Sequence, residues 1–221
     1  MNKKAILIGA SGAVGSSLLD QLLKDDAFSA VLIVVRKEMQ LHHPKLKQLV
    51  VNFDQLKDYA GQLNGDVVFS CMGTTKSQTP DQSQYKKIDY QYPLDLAEIT
   101  LANGAESYHV VSSIGANRNS STFYIQLKGQ LESDLERLPF KSLHIYRPSL
   151  LDGDRKEKRL LEHAMNVIMT VVNPLLVGKL KKYRSIKVET VARAMLQQSL
   201  NPEQGLFIHE SDHIQQLTRT R

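Results

Sequence analysis

The sequence predicts an α/β protein whose core is a doubly wound parallel sheet. Short apolar runs recur along the 221 residues, and segments with helical periodicity separate them. A glycine-rich turn joins the first run to the first helix. Runs of this kind are typical of strands buried on both faces, and their alternation with helices is typical of a parallel sheet covered on both sides.

The predicted elements follow in chain order. The strands are residues 5–8, 30–35, 48–53, 66–73, 108–113 and 142–146. The helices are residues 16–24, 84–103, 122–138 and 188–200, and residues 205–210 form a short last strand. Pro93 lies inside the second helix and predicts a kink or a fresh start there. Ligands bind beyond the carboxyl ends of such strands, so we expect functional residues at those ends.

The first turn carries Gly9, Gly12 and Gly15 at a Gly-x-x-Gly-x-x-Gly spacing. The preceding lysines and apolar residues also resemble the start of an export signal, but the glycines would interrupt its continuous helical region. Backbone without Cβ lets a pyrophosphate approach the helix N-terminus, where free N–H groups favour negative charge. The spacing differs from the commonest dinucleotide fingerprint, Gly-x-Gly-x-x-Gly. With its flanking strand and helix, the turn nevertheless predicts a nucleotide site.

Composition restricts the partners and the compartment. The aromatic fraction is 6% and Trp is absent, which argues against a stacking platform for nucleic acid, although the formal net charge is +5. The longest apolar stretch, residues 166–178, is shorter than the ~20 residues of a membrane span. We therefore expect no nucleic-acid or membrane partner. The single cysteine, Cys71, suits a reducing compartment, and we expect a cytoplasmic location.

Residues after the second and third strands indicate which cofactor binds. Arg36 follows the second strand, and no acidic residue stands there before Glu38. An acid in this place binds a ribose 2′-hydroxyl, whereas an arginine pairs with a 2′-phosphate, so NADP(H) is preferred over NAD(H). Asp54 follows the third strand and either meets the adenine amino group or caps the helix that begins near Gln55.

A candidate catalytic set follows the fifth strand. Tyr124 and Lys128 are four residues apart on a predicted helix and therefore share one face. A neighbouring ammonium favours the phenolate, so Lys128 is expected to lower the pKa of Tyr124 and make it a proton donor to a carbonyl. Ser112 and Ser113 end the fifth strand, and one of them can donate a hydrogen bond to the same carbonyl oxygen.

These motifs resemble those of the short-chain dehydrogenase/reductase superfamily, in its atypical branch. The matching stretches are GASGAVG, CMGTT, VVSSIGA, YIQLKGQLE, IYRPSLL and VETVARAML. The chain is most similar to the Tat-interacting oxidoreductase-like group and to bacterial NAD(P)H-binding, nucleoside-diphosphate-sugar-epimerase-like proteins. The resemblance implies a Rossmann fold that forms one NAD(P)-binding domain over residues 1–221.

The resemblance also implies a role for each matching residue. The residues that would wrap the pyrophosphate are Gly9, Ser11, Gly12, Ala13, Val14 and Gly15. Arg36 and Lys37 would meet the 2′-phosphate. The cofactor channel would be lined by Met72, Gly73 and Thr74. The nicotinamide would be flanked by Arg147, Pro148 and Ser149. The implied catalytic residues are Ser113, Tyr124 and Lys128, with Ser113 preferred to Ser112 because the second serine of such a pair usually matches the catalytic position. The asparagine that many members carry on the preceding helix has no evident counterpart.

The C-terminal residues 150–221 are expected to contribute a small substrate lobe. Within it, residues 156–184 predict an apolar helix with basic ends, whose stripe of Met165, Ile168, Met169 and Val172 is core or lines a pocket or dimer contact. The histidine pairs His42–His43 and His209…His213 lack further ligands at metal spacing. We expect both pairs on the surface and no metal site.

The sequence therefore predicts an NADPH-dependent oxidoreductase that acts on a small apolar carbonyl or alcohol, as a monomer or a homodimer. The main alternative is a non-catalytic NADPH-binding regulator, for which the absent asparagine leaves room. A third interpretation is a sugar-nucleotide epimerase. The short C-terminal segment disfavours it, because a nucleotide-sugar pocket usually needs more chain.

Overall fold

The fold was analysed in a computed structural model, which describes residues 2–152, 176–201 and 203–219. The strands are β1 (Lys3–Ile8), β2 (Phe28–Val35), β3 (Leu46–Val50), β4 (Val67–Ser70), β5 (Ser107–Val111), β6 (Ser142–Arg147), β7 (Leu151–Asp152), β8 (Ile186–Lys187) and β9 (Gly205–Glu210). The α-helices are α1 (Ala13–Lys24), α2 (Gln82–Lys86), α3 (Tyr92–Ala102), α4 (Phe123–Leu135), α5 (Val188–Ser199) and α6 (Ser211–Leu217). Among the described residues, 3₁₀ helices span Phe53–Gln62 and Gly178–Tyr183, and a short π-helix at Lys87–Gln91, called the π-turn below, joins α2 to α3.

Seven strands form one parallel sheet in the order β3-β2-β1-β4-β5-β6-β9, and β7 and β8 form a separate parallel pair. The chain begins at the centre, winds outward to β3, returns past β1 and continues to β9. This is the doubly wound arrangement that the alternating pattern predicts, and the predicted fold class is confirmed. The crevice of such a sheet opens where the winding reverses, between β1 and β4, beyond their carboxyl ends.

Both faces of the sheet are covered by apolar layers. On one face, Leu7, Ile33 and Phe69 pack under α1, α5 and α6. On the other face, Ile6 and Val68 pack under α3, α4 and the first 3₁₀ helix. Successive residues of a strand point to opposite faces, so a strand between two helical layers buries side chains on both faces and is mostly apolar.

The prediction for the third strand needs correction. That strand was expected to be buried as far as Phe53, but β3 ends at Val50 and forms the edge of the sheet. Val50 is 47% exposed, because no strand or helix covers it on the outer side within the described residues. Asn52 then caps the 3₁₀ helix, since its side chain accepts a hydrogen bond from the Asp54 N–H.

The C-terminal segment is also more closely tied to the sheet than the sequence indicates. β9 pairs with β6 along its whole length and α5 packs on α1, whereas the expected contribution of residues 150–221 to a small substrate lobe stays a prediction. This part of the segment therefore completes the main core. The predicted apolar helix and its stripe lie mainly in residues 153–175, outside the described residues. No helix in the described part of the chain has the length and apolarity needed to cross a bilayer.

A histidine ladder, made of His109, His144 and His209, crosses the face of the sheet under α5 and α6. The His109 and His144 rings stack at 4.5 Å between centroids, and the His144 and His209 rings at 5.3 Å. His209 is 2% exposed, so its expected surface position is wrong. His213 on α6 is exposed, and its Nδ1 lies 3.4 Å from Nδ1 of His209. His209 belongs to β9, and its side chain lies on the inward face of that strand, where it continues the ladder.

Burial keeps the ladder histidines neutral. It lowers the pKa of His109 well below the usual range, with neighbouring His144 and His209 adding to the effect. Burial lowers the pKa of His144 to about 4, and burial with His144 and His213 nearby lowers that of His209 to about 3. Each ladder ring uses both nitrogens: His144 contacts the Ser142 hydroxyl at 2.8 Å and His209 at 3.0 Å. A neutral imidazole supplies one donor and one acceptor, which satisfies such a chain, whereas a protonated ring supplies two donors.

Candidate active site

Two of the three glycines of the first turn are required by close packing. Gly9 has φ 78°, and a Cβ there would lie 2.5 Å from the carbonyl carbon of Cys71. A Cβ on Gly15 would lie 2.1 Å from the Gly9 carbonyl oxygen. Gly9 therefore lets β1 approach the chain after β4, and Gly15 lets α1 approach β1. Close approach by a pyrophosphate, which the sequence offered as the reason for all three, applies only to the region around Gly12.

The N-terminus of α1 has the features of an anion site. Gly12 is its N-cap residue and supplies no side chain to the first N–H groups, and the first turn contains no acidic residue. The N–H groups of Ala13 and Val14 are thus left for a ligand, while the Val14 side chain is 5% exposed and belongs to the core. Ser11 is exposed beside them. The predicted pyrophosphate residues therefore lie together, and the uncapped turn fits a diphosphate.

The residues predicted to select the cofactor lie at two neighbouring strand ends. Arg36 and Lys37 follow β2 and are exposed, and within the described residues neither forms an ion pair. Asp54 accepts hydrogen bonds from the Lys87 ammonium at 2.9 Å and the Tyr92 hydroxyl at 2.7 Å, both on the same carboxylate oxygen. Those contacts, led by the Lys87 hydrogen bond, lower the pKa of Asp54. Asp54 is therefore not the helix cap, and its contact with adenine stays a prediction.

The chain after β4 is held in place by hydrogen bonds with the helical segment α2–α3. Thr74 donates its N–H to Asp89 at 2.8 Å, and its carbonyl oxygen accepts a hydrogen bond from the Tyr85 hydroxyl at 3.0 Å. Met72 is half-buried and Gly73 is exposed. A Cβ on Gly73 would lie 3.9 Å from Lys128 Nζ. The predicted channel residues and the predicted catalytic lysine are therefore immediate neighbours.

Lys128 forms a buried ion pair that the sequence did not predict. Its Nζ lies 2.9 Å from Oδ1 of Asp89, and the two side chains are 4% and 1% exposed. Burial lowers the pKa of Lys128, but Asp89, Tyr124 and Glu132 more than offset it, so the pKa lies above its usual value. Lys128 is therefore a fixed cation at the site.

Tyr124 begins the face of α4 that Lys128 continues one turn later. Its side chain is half-buried, and its ring meets the edge of the Tyr85 ring at 6.5 Å between centroids. Phe123 contacts Tyr85 from the other side at 5.7 Å and is 36% exposed. The expected effect of Lys128 on the pKa of Tyr124 stays a prediction.

The two serines at the end of β5 have different surroundings. Ser112 is 4% exposed and donates its hydroxyl to Glu132 at 2.5 Å. Ser113 is half-buried, and its hydroxyl lies 3.4 Å from the Ile114 carbonyl oxygen, at the long limit of a hydrogen bond. Ser112 is committed to a buried acceptor, so Ser113 is the serine with a hydroxyl available to a ligand.

The turn predicted to flank the nicotinamide is fastened at each residue. Arg147 donates to both carboxylate oxygens of Glu132, through Nε at 3.0 and 3.2 Å and through one terminal nitrogen. The Pro148 carbonyl oxygen accepts from the Ile114 N–H at 3.0 Å. Ser149 donates its N–H to the Ser211 hydroxyl at 2.7 Å. The Arg147 side chain is thus occupied by Glu132, which leaves the turn's backbone and neighbours to face a cofactor.

Sequence reasoning missed Asp89, Glu132 and Tyr85. Glu132 continues the Tyr124–Lys128 spacing by four more residues, a signal that could have placed it on the same face. Asp89 is four residues after Tyr85, so both lie on the inward face of one helical segment. An acid on an inward face is unusual unless it is paired, and this pattern could have indicated a buried partner.

Fold and site together are those of a dinucleotide-binding protein with a doubly wound parallel sheet. The sequence profile of the NAD(P)H-binding family matches residues 9–202, and the chain belongs to that family. NAD(P)H binding is thereby confirmed, whereas the preference for NADPH stays a prediction.

The chain is similar to curated relatives and to solved structures over most of its length. Protein HTATIP2 of Rattus norvegicus is 34% identical over 209 residues, which cover 92% of this chain and 84% of the rat protein. "Protein FMP52-1, mitochondrial" of Scheffersomyces stipitis is 33% identical over 172 residues, 74% of each chain. The Bordetella bronchiseptica enzyme WbmH, solved in complex with NAD+, superposes with a TM-score of 0.71 at 16% identity, covering 95% of this chain and 76% of that one. At that identity the superposition shows the fold alone.

Proposed function

We propose that the protein is an NADPH-dependent oxidoreductase that reduces a small carbonyl compound or oxidises the corresponding alcohol. The observation that carries the proposal is the placement of Lys128. It is a fixed, buried cation that lies beside Gly73 at the cofactor crevice and one helical turn from Tyr124. An ordinary surface Tyr-x-x-x-Lys pair would leave the ammonium in water.

Each residue of the set has a defined task in carbonyl reduction. When bound, NADPH supplies a hydride to the carbonyl carbon. Tyr124 gives its hydroxyl proton to the carbonyl oxygen, so the product is an alcohol, and the tyrosine regains a proton from solvent. Ser113 donates a hydrogen bond to the same oxygen as negative charge develops. Lys128 holds the nicotinamide ribose hydroxyls.

The preference for NADPH rests on the charge after β2. Arg36 and Lys37 are exposed cations at the position where the adenine ribose of a dinucleotide would lie, and a 2′-phosphate would pair with them. Substituting Arg36→Ala is expected to weaken NADPH binding about tenfold and to leave NADH binding unchanged. Competitive titration of the two cofactors measures the ratio.

The surface near Tyr124 favours an apolar substrate. Phe123 is 36% exposed next to Tyr124, and Leu150 is 41% exposed just past the turn that ends β6. Exposed apolar side chains at a crevice are suited to a hydrophobic ligand with few polar groups. A cytoplasmic location and a monomeric or homodimeric state remain part of the proposal, and cell fractionation and sedimentation test them.

The experiment that tests the proposal compares wild-type protein with Tyr124→Phe. Melting temperatures with NADPH, NADH and no ligand come first, because a ligand at hundredfold excess over its Kd stabilises by about 2.7 kcal/mol. NADPH consumption is then followed with a panel of apolar aldehydes and ketones. We expect Tyr124→Phe to bind NADPH as the wild type does and to lose turnover.

Other outcomes distinguish the alternatives. Tyr85→Phe is the matched control, because it removes a phenol hydroxyl that bonds the Thr74 backbone rather than a substrate. If NADPH binds but neither the wild type nor Tyr124→Phe turns over any carbonyl, a non-catalytic regulator replaces the enzyme as the proposed function. Stabilisation by a UDP-sugar would revive the epimerase, and equal stabilisation by NADH and NADPH would contradict the role of Arg36.

A further inference from the structure

The buried ion pair between Asp89 and Lys128 is also connected to the chain that lines the predicted cofactor channel. One carboxylate oxygen of Asp89, Oδ1, lies 2.9 Å from the Lys128 ammonium. The other oxygen, Oδ2, accepts the Thr74 N–H at 2.8 Å. A single side chain thus connects a predicted catalytic residue on α4 with the chain that follows β4.

The local backbone explains how an acid reaches this place. Asp89 is the middle residue of the π-turn at Lys87–Gln91, and its side chain is fully buried. A π-turn is an interruption of regular helical winding and is found frequently at functional sites. The segment continues into α3 after the turn, so the irregularity is confined to the residues around Asp89.

We propose that Asp89 is a positioning residue, whose carboxylate holds the Lys128 ammonium at the nicotinamide ribose and ties it to the Thr74 backbone. The inference rests on the proposed function. In this inference the helical segment before β5 supplies the side chain that orients Lys128, and that side chain is Asp89 rather than an asparagine.

Only a carboxylate can perform this task here. Its negative charge pairs with the ammonium of Lys128 through Oδ1, while Oδ2 accepts the N–H of Thr74. An asparagine has one acceptor oxygen and one donor amide, so it satisfies one of the two and opposes the other. Asp89→Asn is therefore a nearly isosteric change that disconnects the pair.

The charges that face Lys128 determine how its protonation responds. Asp89 faces it from the α2–α3 segment, and Tyr124 and Glu132 face it from α4. Glu132 is itself bound to Arg147 and Ser112. Without the Asp89 charge, burial disfavours the ammonium, so Lys128 loses its proton at a lower pH than in the wild type.

The test is a double-mutant cycle on NADPH affinity, measured by cofactor fluorescence with wild type, Asp89→Asn, Lys128→Met and the double variant. We expect each single variant to bind about tenfold more weakly, and the double variant to equal Lys128→Met within about twofold. In Asp89→Asn, binding should weaken further as the pH rises from about 7 to about 9.5, while the wild type stays constant. A merely structural defect would weaken binding equally at every pH. Asp134→Asn, which removes a carboxylate bonded to Tyr90 elsewhere on α4, is the control.

Several results would overturn the inference. They are an Asp89→Asn affinity within about twofold of the wild type, or single effects that multiply in the double variant. If Asp89→Asn does not fold, the double variant is compared with Lys128→Met, because the double variant leaves no unpaired buried charge. Equal NADPH affinities of these two variants support the inference. A double variant that binds NADPH at least fivefold more weakly than Lys128→Met, a difference on the order of 1 kcal/mol, contradicts it. A wild type that binds no NADPH removes the proposed function as well, whereas binding with an indifferent Asp89→Asn removes only this inference.

Discussion

The histidine ladder makes the stability of the fold depend on pH. His109, His144 and His209 are buried and neutral, and burial holds the pKa of each below the usual 6.5. The unfolded chain therefore binds more protons than the folded chain at mildly acidic pH. Stability is fully present above about pH 6.5 and is lost as the pH falls below it, until the folded pKa values are reached.

The magnitude follows from proton linkage. A histidine that is neutral in the fold and protonated in the unfolded chain contributes a slope of about 1.4 kcal/mol per pH unit. Between about pH 7 and about pH 5, each ladder histidine costs about 2 kcal/mol, and the three together cost about 6 kcal/mol. Domains of this size are stable by about 5–15 kcal/mol, so the loss is a large fraction of the total.

Urea unfolding at a series of pH values measures this slope. Substituting His109→Phe keeps a ring in the stack beside His144 but removes one titrating group, so the slope should fall by about a third whatever the change in absolute stability. A wild-type slope below about 1.4 kcal/mol per pH unit in this range would refute the reasoning, because it would mean fewer than one buried neutral histidine.

Two further substitutions test the site and its support. Gly9→Ala places a Cβ 2.5 Å from the Cys71 carbonyl carbon at a positive φ; it should cost about 1–3 kcal/mol or more and abolish NADPH binding, checked by thermal melting and cofactor titration. Glu132→Gln leaves the Arg147 guanidinium without its carboxylate; since Arg147 is 22% exposed, the expected loss is about 2 kcal/mol in urea unfolding. A loss below about 0.5 kcal/mol would mean that the pair contributes like a surface ion pair.

The fold could be predicted from the sequence because its strands are buried on both faces. Interior strands such as β1 and β4 are mostly apolar where both layers cover them, and that pattern is visible in one dimension. The same rule failed at β3, since an edge strand has one covered side and reads as apolar only in part. The sequence also did not indicate where β9 lies in the sheet, because a half-exposed strand has no pattern that identifies the strand it pairs with.

The candidate site was predicted where residues are close in sequence and missed where they are distant. The glycine turn and the pair Tyr124–Lys128 follow from local spacing. The choice between Ser112 and Ser113 depends on which face each occupies, and only the contact of Ser112 with Glu132 distinguishes them. The partner of Lys128 comes from another helix, 39 residues earlier in the chain, and no local pattern indicates that contact.

The central claim is that Tyr124 and Lys128 face the reactive ring of a bound dinucleotide. A crystal structure of the NADPH complex tests it most directly. The account predicts the Tyr124 hydroxyl within about 5 Å of the nicotinamide C4 atom and the Lys128 ammonium within about 3 Å of a ribose hydroxyl. A nicotinamide bound away from α4, or a Tyr124 hydroxyl directed into bulk solvent, would contradict it.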